Sequence, residues 1–172
     1  MTLLVGLILL VILTVISLVG FRNVTMTERM AGNSADRNVS FQSSESAGKE
    51  ALQAIATSCA ATPLTAQCGL TGTGYFATAL AEGANTGFWT GVPPTPPSCA
   101  AASTPFNWAN CAKSVDATYA RNSQAAQYVI EFLVSDIVAA TPYWRFRVTT
   151  RSTGGSGDAE VVLQTIYTHV NP

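Results

Sequence analysis

The chain has 172 residues, of which only 11% are charged, and its nine basic and ten acidic side chains nearly cancel. Such a chain has no broad electrostatic field to attract nucleic acid, so we expect no nucleic-acid partner. Its length leaves room for one ordinary domain beside an apolar N-terminal segment.

Residues 1–21 form that apolar segment, which contains no charged side chain and no proline; the first charge is Arg22. At about 1.5 Å of rise per residue, a helix of this length spans roughly 30 Å, enough to cross the hydrocarbon core of a bilayer. We predict a helix that crosses a membrane or is covered on all sides by protein.

Residues 22–58 continue without proline, since the first proline is Pro63. We therefore predict one long helix, apolar over 1–21 and amphipathic over 22–58. Small residues in its apolar stripe would let it lie close against a sheet, and Glu45 and Lys49 are spaced to pair on its surface. The predicted stripe consists of Phe41, Ser44, Gly48, Leu52, Ile55 and Cys59.

Two glycines, Gly20 and Gly32, lie inside the predicted helix. Each costs about 1 kcal/mol relative to alanine inside a helix, which makes both candidate points of bending or local melting. Close packing of a neighbouring helix explains them equally well.

The four cysteines fall into two close pairs, Cys59 with Cys68 and Cys99 with Cys111. Three pairings are possible, and we favour the two sequential disulfides over a metal site, because the spacings are too long for a zinc knuckle and the chain has a single histidine. Disulfides place this part of the chain in an oxidising compartment outside the cytoplasm.

Residues 59–127 are rich in Ala, Thr, Gly and Pro and show no sustained period, so we predict a loop-rich, disulfide-bearing region. We expect its aromatic residues to form a small satellite core held by Cys99–Cys111; a binding surface is the alternative. These aromatic residues are Phe88, Trp89, Phe106 and Trp108.

Residues 128–172 contain three β-rich stretches and predict an antiparallel sheet. In the second stretch Trp144, Phe146 and Val148 alternate with polar residues, and the glycine-rich segment 152–158 predicts a hairpin connection. The predicted fold class is α+β, with the long N-terminal helix packed on this C-terminal sheet.

We find no candidate catalytic residue, metal site or cofactor site, and we expect that the protein is not an enzyme. The single histidine, His169, fits a solvent-facing strand position better than a catalytic role. The helix carboxylates each have a basic neighbour and form no paired-acid site.

The arrangement resembles the type IV pilins, and two stretches resemble PilX-type pilus assembly proteins in particular. One is the helical run Glu28, Met30–Asn33, then Arg37–Asn38, then Phe41–Gln42 and Glu45. The other is the closing segment, residues 147–167, which resembles that family's terminal hairpin. The stretches lie at both ends of the chain and cover less than half of it.

The resemblance implies a precursor whose leader is removed and whose new N-terminus, Met1, is methylated. It implies an inner-membrane protein that later assembles with itself and other pilins into an extracellular filament on the bacterial surface. Major pilins carry glutamate at position five, where this chain has Val5; PilX-type minor pilins often share that departure.

Polymerisation also has a direct physical argument, since a helix that is apolar all round must be covered in water, and packed copies cover one another. A bitopic membrane protein with an extracytoplasmic binding domain is the alternative. The predicted filament-core residues are Leu3, Leu4, Leu7, Ile8, Leu10, Val11, Ile12, Val15 and Ile16.

Overall fold

The computed structural model describes residues 2–61, 66–77, 99, 106–115, 124–138 and 141–170. Helix α1 runs over Thr2–Ala61 and a 3₁₀ turn over Ala66–Gly69. The chain divides into two compact units, residues 1–36 and residues 37–172. The remaining elements are β1 (Tyr75–Phe76), α2 (Trp108–Cys111), β2 (Lys113–Ser114), β3 (Gln127–Val138), β4 (Thr141–Thr153) and β5 (Glu160–Val170).

The sheet of the second unit has the strand order β1-β3-β4-β5, with β2 also paired to β3. The three long strands are antiparallel neighbours, as the sequence predicts. The two-residue strand β1 pairs with β3 in parallel, so the whole sheet is mixed. The fold is therefore α+β, with one parallel pairing added to the predicted antiparallel sheet.

One face of the sheet packs against α1. The predicted alternation in β4 is confirmed, because Trp144, Phe146 and Val148 are all buried on this face. Ala47, Ala51, Ile55 and Cys59 of α1 meet them there, together with Tyr128 and Ile130 of β3. This cluster is the main core of the second unit.

Serine hydroxyls fix α1 to the hairpin of β4 and β5. Ser40 Oγ donates to the Ser152 carbonyl oxygen at 2.7 Å, and Ser44 Oγ donates to the Val161 carbonyl oxygen at 3.2 Å. The predicted stripe was wrong at Phe41, which is 43% exposed. Ser44, a member of the predicted stripe, is buried as predicted, and Ser40, which the stripe omitted, is buried as well.

The other face of the sheet carries a smaller cluster. Phe106 and Trp108 pack edge to face, with ring centroids 5.2 Å apart, and contact Val129 of β3. Cys111 belongs to this cluster and is bonded to Cys99. The predicted satellite core is thus confirmed for Phe106 and Trp108, whereas Phe88 and Trp89 lie outside the described residues.

The second disulfide joins Cys59, at the end of α1, to Cys68 in the 3₁₀ turn. The structure therefore contains both sequential bridges. The connection between β4 and β5 is the predicted glycine-rich turn: Gly154 N–H donates to the Ala159 carbonyl at 2.7 Å, and Gly157 has a φ of 85°. A residue with a side chain would be strained at Gly157.

Candidate functional site

The apolar segment of the first unit is the most unusual surface of the chain. Every side chain from Leu3 to Leu18 is exposed, and the exposed fraction ranges from 83% at Leu3 to 49% at Ile12. Within the described residues, α1 is long and apolar enough to cross a membrane. An uninterrupted apolar surface of this extent marks a membrane or protein contact.

The two hydroxyl side chains inside this surface are satisfied by the helix itself. Thr14 Oγ1 donates to the Val11 carbonyl at 2.7 Å, and Ser17 Oγ donates to the Leu13 carbonyl at 2.9 Å. Neither hydroxyl therefore needs water as an acceptor. The segment can enter a lipid or protein interior without leaving these donors unpaired.

Glycines leave open notches on the same helix. A Cβ placed on Gly6, Gly20 or Gly32 would meet nothing within 4 Å. The helix continues through Gly20 and Gly32, so the expected bending or melting there remains a prediction about other states of the chain. Met1 lies outside the described residues.

A basic surface follows the apolar segment. A shallow concavity of about 450 Å³ lies on one side of the helix, and its lining residues are Phe21, Arg22, Thr25, Met26 and Arg29. Met26 is 62% exposed, and neither arginine has an ion pair with another described residue. Met26 is four residues from Arg22 and three from Arg29, so it neighbours both arginines on one helix face.

The second unit has an apolar groove between α1 and β5, with a volume of about 360 Å³. Leu52 and Leu163 form apolar parts of its walls, and Thr150 of β4 is part of its lining. We call it the α1–β5 groove. Its lining residues are Ser44, Glu45, Gly48, Lys49, Leu52, Thr150, Leu163, Gln164 and Thr165.

Polar groups in this groove are left without partners. Thr150 is 3% exposed, yet its Oγ1 is buried with no hydrogen-bond partner. Glu45 and Lys49 are exposed and, contrary to the expectation from their spacing, form no ion pair with each other. The groove therefore offers mainly apolar walls, with the exposed residues Glu45 and Lys49 in its lining, while the Thr150 hydroxyl is closed to solvent.

A second cavity of about 360 Å³ adjoins the groove at Leu163. Phe41 and Arg37 of α1 line it, together with Glu160 of β5. Glu160 is already engaged, because Arg151 donates to its carboxylate from Nε at 3.0 Å and from Nη2 at 3.2 Å. The acidic residue of this cavity therefore already has a partner, whereas Glu45 in the α1–β5 groove forms no ion pair with Lys49.

His169, the histidine considered for catalysis, is partly buried beside Trp144 and Tyr167, at ring-centroid distances of 6.0 and 6.4 Å. Within the described ranges no group of three His, Cys, Asp or Glu side chains is placed to hold a metal ion.

Glu131 is the buried charge that sequence reasoning missed. Its side chain is fully buried, and Arg147 donates to it from Nη2 at 2.6 Å and from Nε at 3.0 Å. The two residues are direct partners across β3 and β4. Charged residues are rarely buried unless paired, so the opposing arginine was the available signal, once the strand register was known.

Comparison with known families accounts for nearly the whole chain. A family model described as PilX N-terminal matches residues 1–47, and one described as type IV pilus assembly protein PilX C-term matches residues 32–169. No curated protein and no solved structure matches the chain significantly.

Proposed function

The chain belongs to the PilX family of type IV pilus assembly proteins, and we propose that it is a structural subunit of a type IV pilus or related extracellular filament. The observation that carries the proposal is the apolar segment, whose side chains from Leu3 to Leu18 are all exposed. Packing of the segment against copies in other subunits would cover it and form the filament core.

The hydrophobic free energy favours such packing over exposure of the apolar segment to water. Covering a fully exposed Leu, Ile or Val side chain contributes about 1.5–3 kcal/mol, and the nine predicted core residues are 49–83% exposed, so together they contribute roughly 12 kcal/mol relative to water. The inner membrane covers the same surface before assembly. Transfer from lipid to filament therefore gains little hydrophobic free energy, and the fit between subunits has to select the filament.

The proposed role is non-enzymatic and needs no cofactor. Its partners are other copies of the chain and other pilins, and its location is the inner membrane before assembly and the bacterial surface afterwards. The two disulfides support a location outside the cytoplasm for residues 59–111.

Val5 bears on the type of subunit. It is 56% exposed and apolar, so it adds to the surface to be covered and carries no charge that could bind the terminal amine of a neighbour. We propose a PilX-like subunit that is either a minor component, with a priming or tip role, or the main component of a filament assembled without that charge.

Mass spectrometry of filaments sheared from the cell surface tests the proposal. We expect this subunit in the sheared fraction, beginning with methylated Met1. Quantification against other pilins then separates a trace component from the main subunit. An unprocessed protein that stays in the membrane fraction and is absent from filaments would instead support a bitopic membrane protein and refute the proposal.

A further inference from the structure

We propose that β5 is the docking edge for an extended strand of a neighbouring pilus subunit, which pairs with the backbone of β5 and places alternate side chains in the α1–β5 groove. The inference rests on the proposed function, since it names one contact between subunits of the proposed filament. It concerns the second unit and is separate from the packing of the apolar segments.

Strand β5 forms one edge of the sheet. Within the described part of the chain it pairs with β4 on one side and with no strand on the other. The opposite edge differs, because β1 and β2 both pair with the outer side of β3. The 11 residues of β5 therefore offer a long backbone edge to a partner.

The register of β4 and β5 shows which backbone groups face outward. The Gly154 N–H donates to the Ala159 carbonyl at 2.7 Å, and the ladder continues from this pair in one register. Residue pairs in an antiparallel ladder alternate between hydrogen-bonded and non-hydrogen-bonded. The odd-numbered residues of β5 therefore bond to β4, and the N–H and C=O groups of Val162, Ile166 and Thr168 point to the open edge.

This edge lacks the features by which natural sheets prevent pairing with other chains. Such features are lysine, proline, a β-bulge or an inward-pointing charge. From Val161 to Thr168 the strand has no charged residue and no proline, and its pairing with β4 has no register shift. Glu160, at its start, is bound to Arg151. A regular, uncharged edge of this kind suits addition of a partner strand.

The space beside the open edge fits the side chains of an added strand. The α1–β5 groove and the cavity that adjoins it at Leu163 are both lined by residues of α1 and β5. Leu52 and Phe41 of α1 contribute apolar surface to this space, and Phe41 is 43% exposed. Because side chains alternate between the two faces of a strand, every second residue of a strand paired with β5 would enter the space and cover Phe41.

The edge and the surfaces beside it select an extended, apolar segment. A helix bonds its own N–H and C=O groups internally, whereas an extended strand presents them at the repeat of β5. On the face away from α1, Ile166 is 61% and Val170 is 53% exposed. These side chains would contact the remaining residues of the added strand, so both of its faces meet apolar surface.

Amide hydrogen exchange at single-residue resolution tests the pairing without any substitution. The full-length chain is compared as a monomer in detergent micelles and in isolated filaments. In micelles the outward amides of Val162, Ile166 and Thr168 should exchange readily, and in filaments they should slow by at least about 100-fold. The amides of Leu163 and Thr165 already bond to β4, so they are the internal control and should change less than about tenfold.

Proline at an outward position tests whether the pairing contributes to assembly. Ile166→Pro removes an N–H that points to the open edge and keeps the bonds to β4, so it should lower the amount of subunit in sheared filaments by about tenfold. Ile166→Val keeps the N–H and is the matched control, with an expected change of less than about threefold. The urea denaturation midpoint in detergent shows whether the proline variant folds, and the exchange experiment decides the matter if it does not.

Photo-cross-linking identifies the segment at the edge. A photoreactive phenylalanine analogue replaces Gln164, Ile166 or Thr168 in turn, and the linked peptides from filaments are sequenced. The linked residue should lie in a strand of another subunit and should move along that strand in step with the position on β5. Links to a helix of another subunit, or links only within the same chain, would overturn the docking.

The outcomes separate the docking from the proposed function. Outward amides that still exchange readily in filaments, or that are already protected in the micelle-bound monomer, overturn the docking and leave the structural role intact. If the unsubstituted chain is absent from sheared filaments, both fail.

Discussion

Removal of Arg147 should destabilise the second unit more than removal of its partner, Glu131. The Glu131 side chain is fully buried, whereas Arg147 keeps 17% of its side chain exposed. Arg147→Ala therefore leaves a buried carboxylate without its guanidinium, which costs about 3–5 kcal/mol. Glu131→Ala leaves a guanidinium with some access to water, and we expect a cost of about 2 kcal/mol.

The double variant Glu131→Leu and Arg147→Met separates the net contribution of the ion pair to the free energy of unfolding from the cost of removing only one partner. Apolar residues of similar size can replace a buried ion pair with little loss, so we expect the double variant to lie within about 1 kcal/mol of the unsubstituted chain.

Urea denaturation of the full-length chain in detergent, followed by near-ultraviolet circular dichroism with both disulfides intact, measures these differences. The reasoning fails if Arg147→Ala costs less than about 1 kcal/mol, or if the double variant is as unstable as Arg147→Ala.

Three further predictions concern backbone freedom, burial and the apolar segment. Gly48→Ala should raise stability by about 0.5–1 kcal/mol, because its Cβ would meet Thr150 Cγ2 at 3.8 Å, an ordinary contact; a lower denaturation midpoint would contradict this. Burial raises the pKa of Tyr75 from 10.0 to about 12. Because burial disfavours the phenolate, the free energy of unfolding should be unaffected below pH 10 and should fall by about 1–2 kcal/mol as the pH approaches 12. This fall is smaller than the full pKa difference implies because the ring is partly exposed; a flat stability profile above pH 10 would refute the prediction. Leu10→Lys should reduce the amount of subunit in sheared filaments at least tenfold, since it buries an unpaired charge, whereas Leu10→Ile should not; equal amounts would refute burial at that position.

The sequence predicted those elements whose conformation depends on residues close together in the chain. An uncharged run gives the apolar half of α1, alternation in β4 gives its buried face, and the glycine-rich segment gives the turn before β5. In each case neighbouring residues alone determine the period or the backbone freedom, so no knowledge of distant contacts is needed.

Elements that depend on distant contacts were not predictable. Strands β1 and β2 have two residues each, too few for a period, and form by pairing with β3. Ser40 is polar in sequence but buried, because its acceptor is the carbonyl of Ser152. Phe41 was predicted to be buried because it is hydrophobic, but the packing of α1 against the hairpin leaves it exposed.

For the candidate site, the sequence predicted the exposed apolar surface of residues 3–18, because an uncharged run displays it directly. The filament-core role of these residues stays a prediction. The α1–β5 groove was not predicted, because it exists only where α1 and β5 leave space above Thr150. In the sequence, Glu45 is a possible partner of Lys49 and part of the PilX-like run, and its position in the lining of the groove became evident only from the structure.

The most direct test of the account is a density map of isolated filaments in which this subunit has been identified by mass spectrometry. The account predicts that residues 3–18 of each copy lie in the filament interior, covered by the same segments of neighbouring subunits. A filament that lacks the subunit, or one in which this segment remains exposed on the surface, would contradict the central claim.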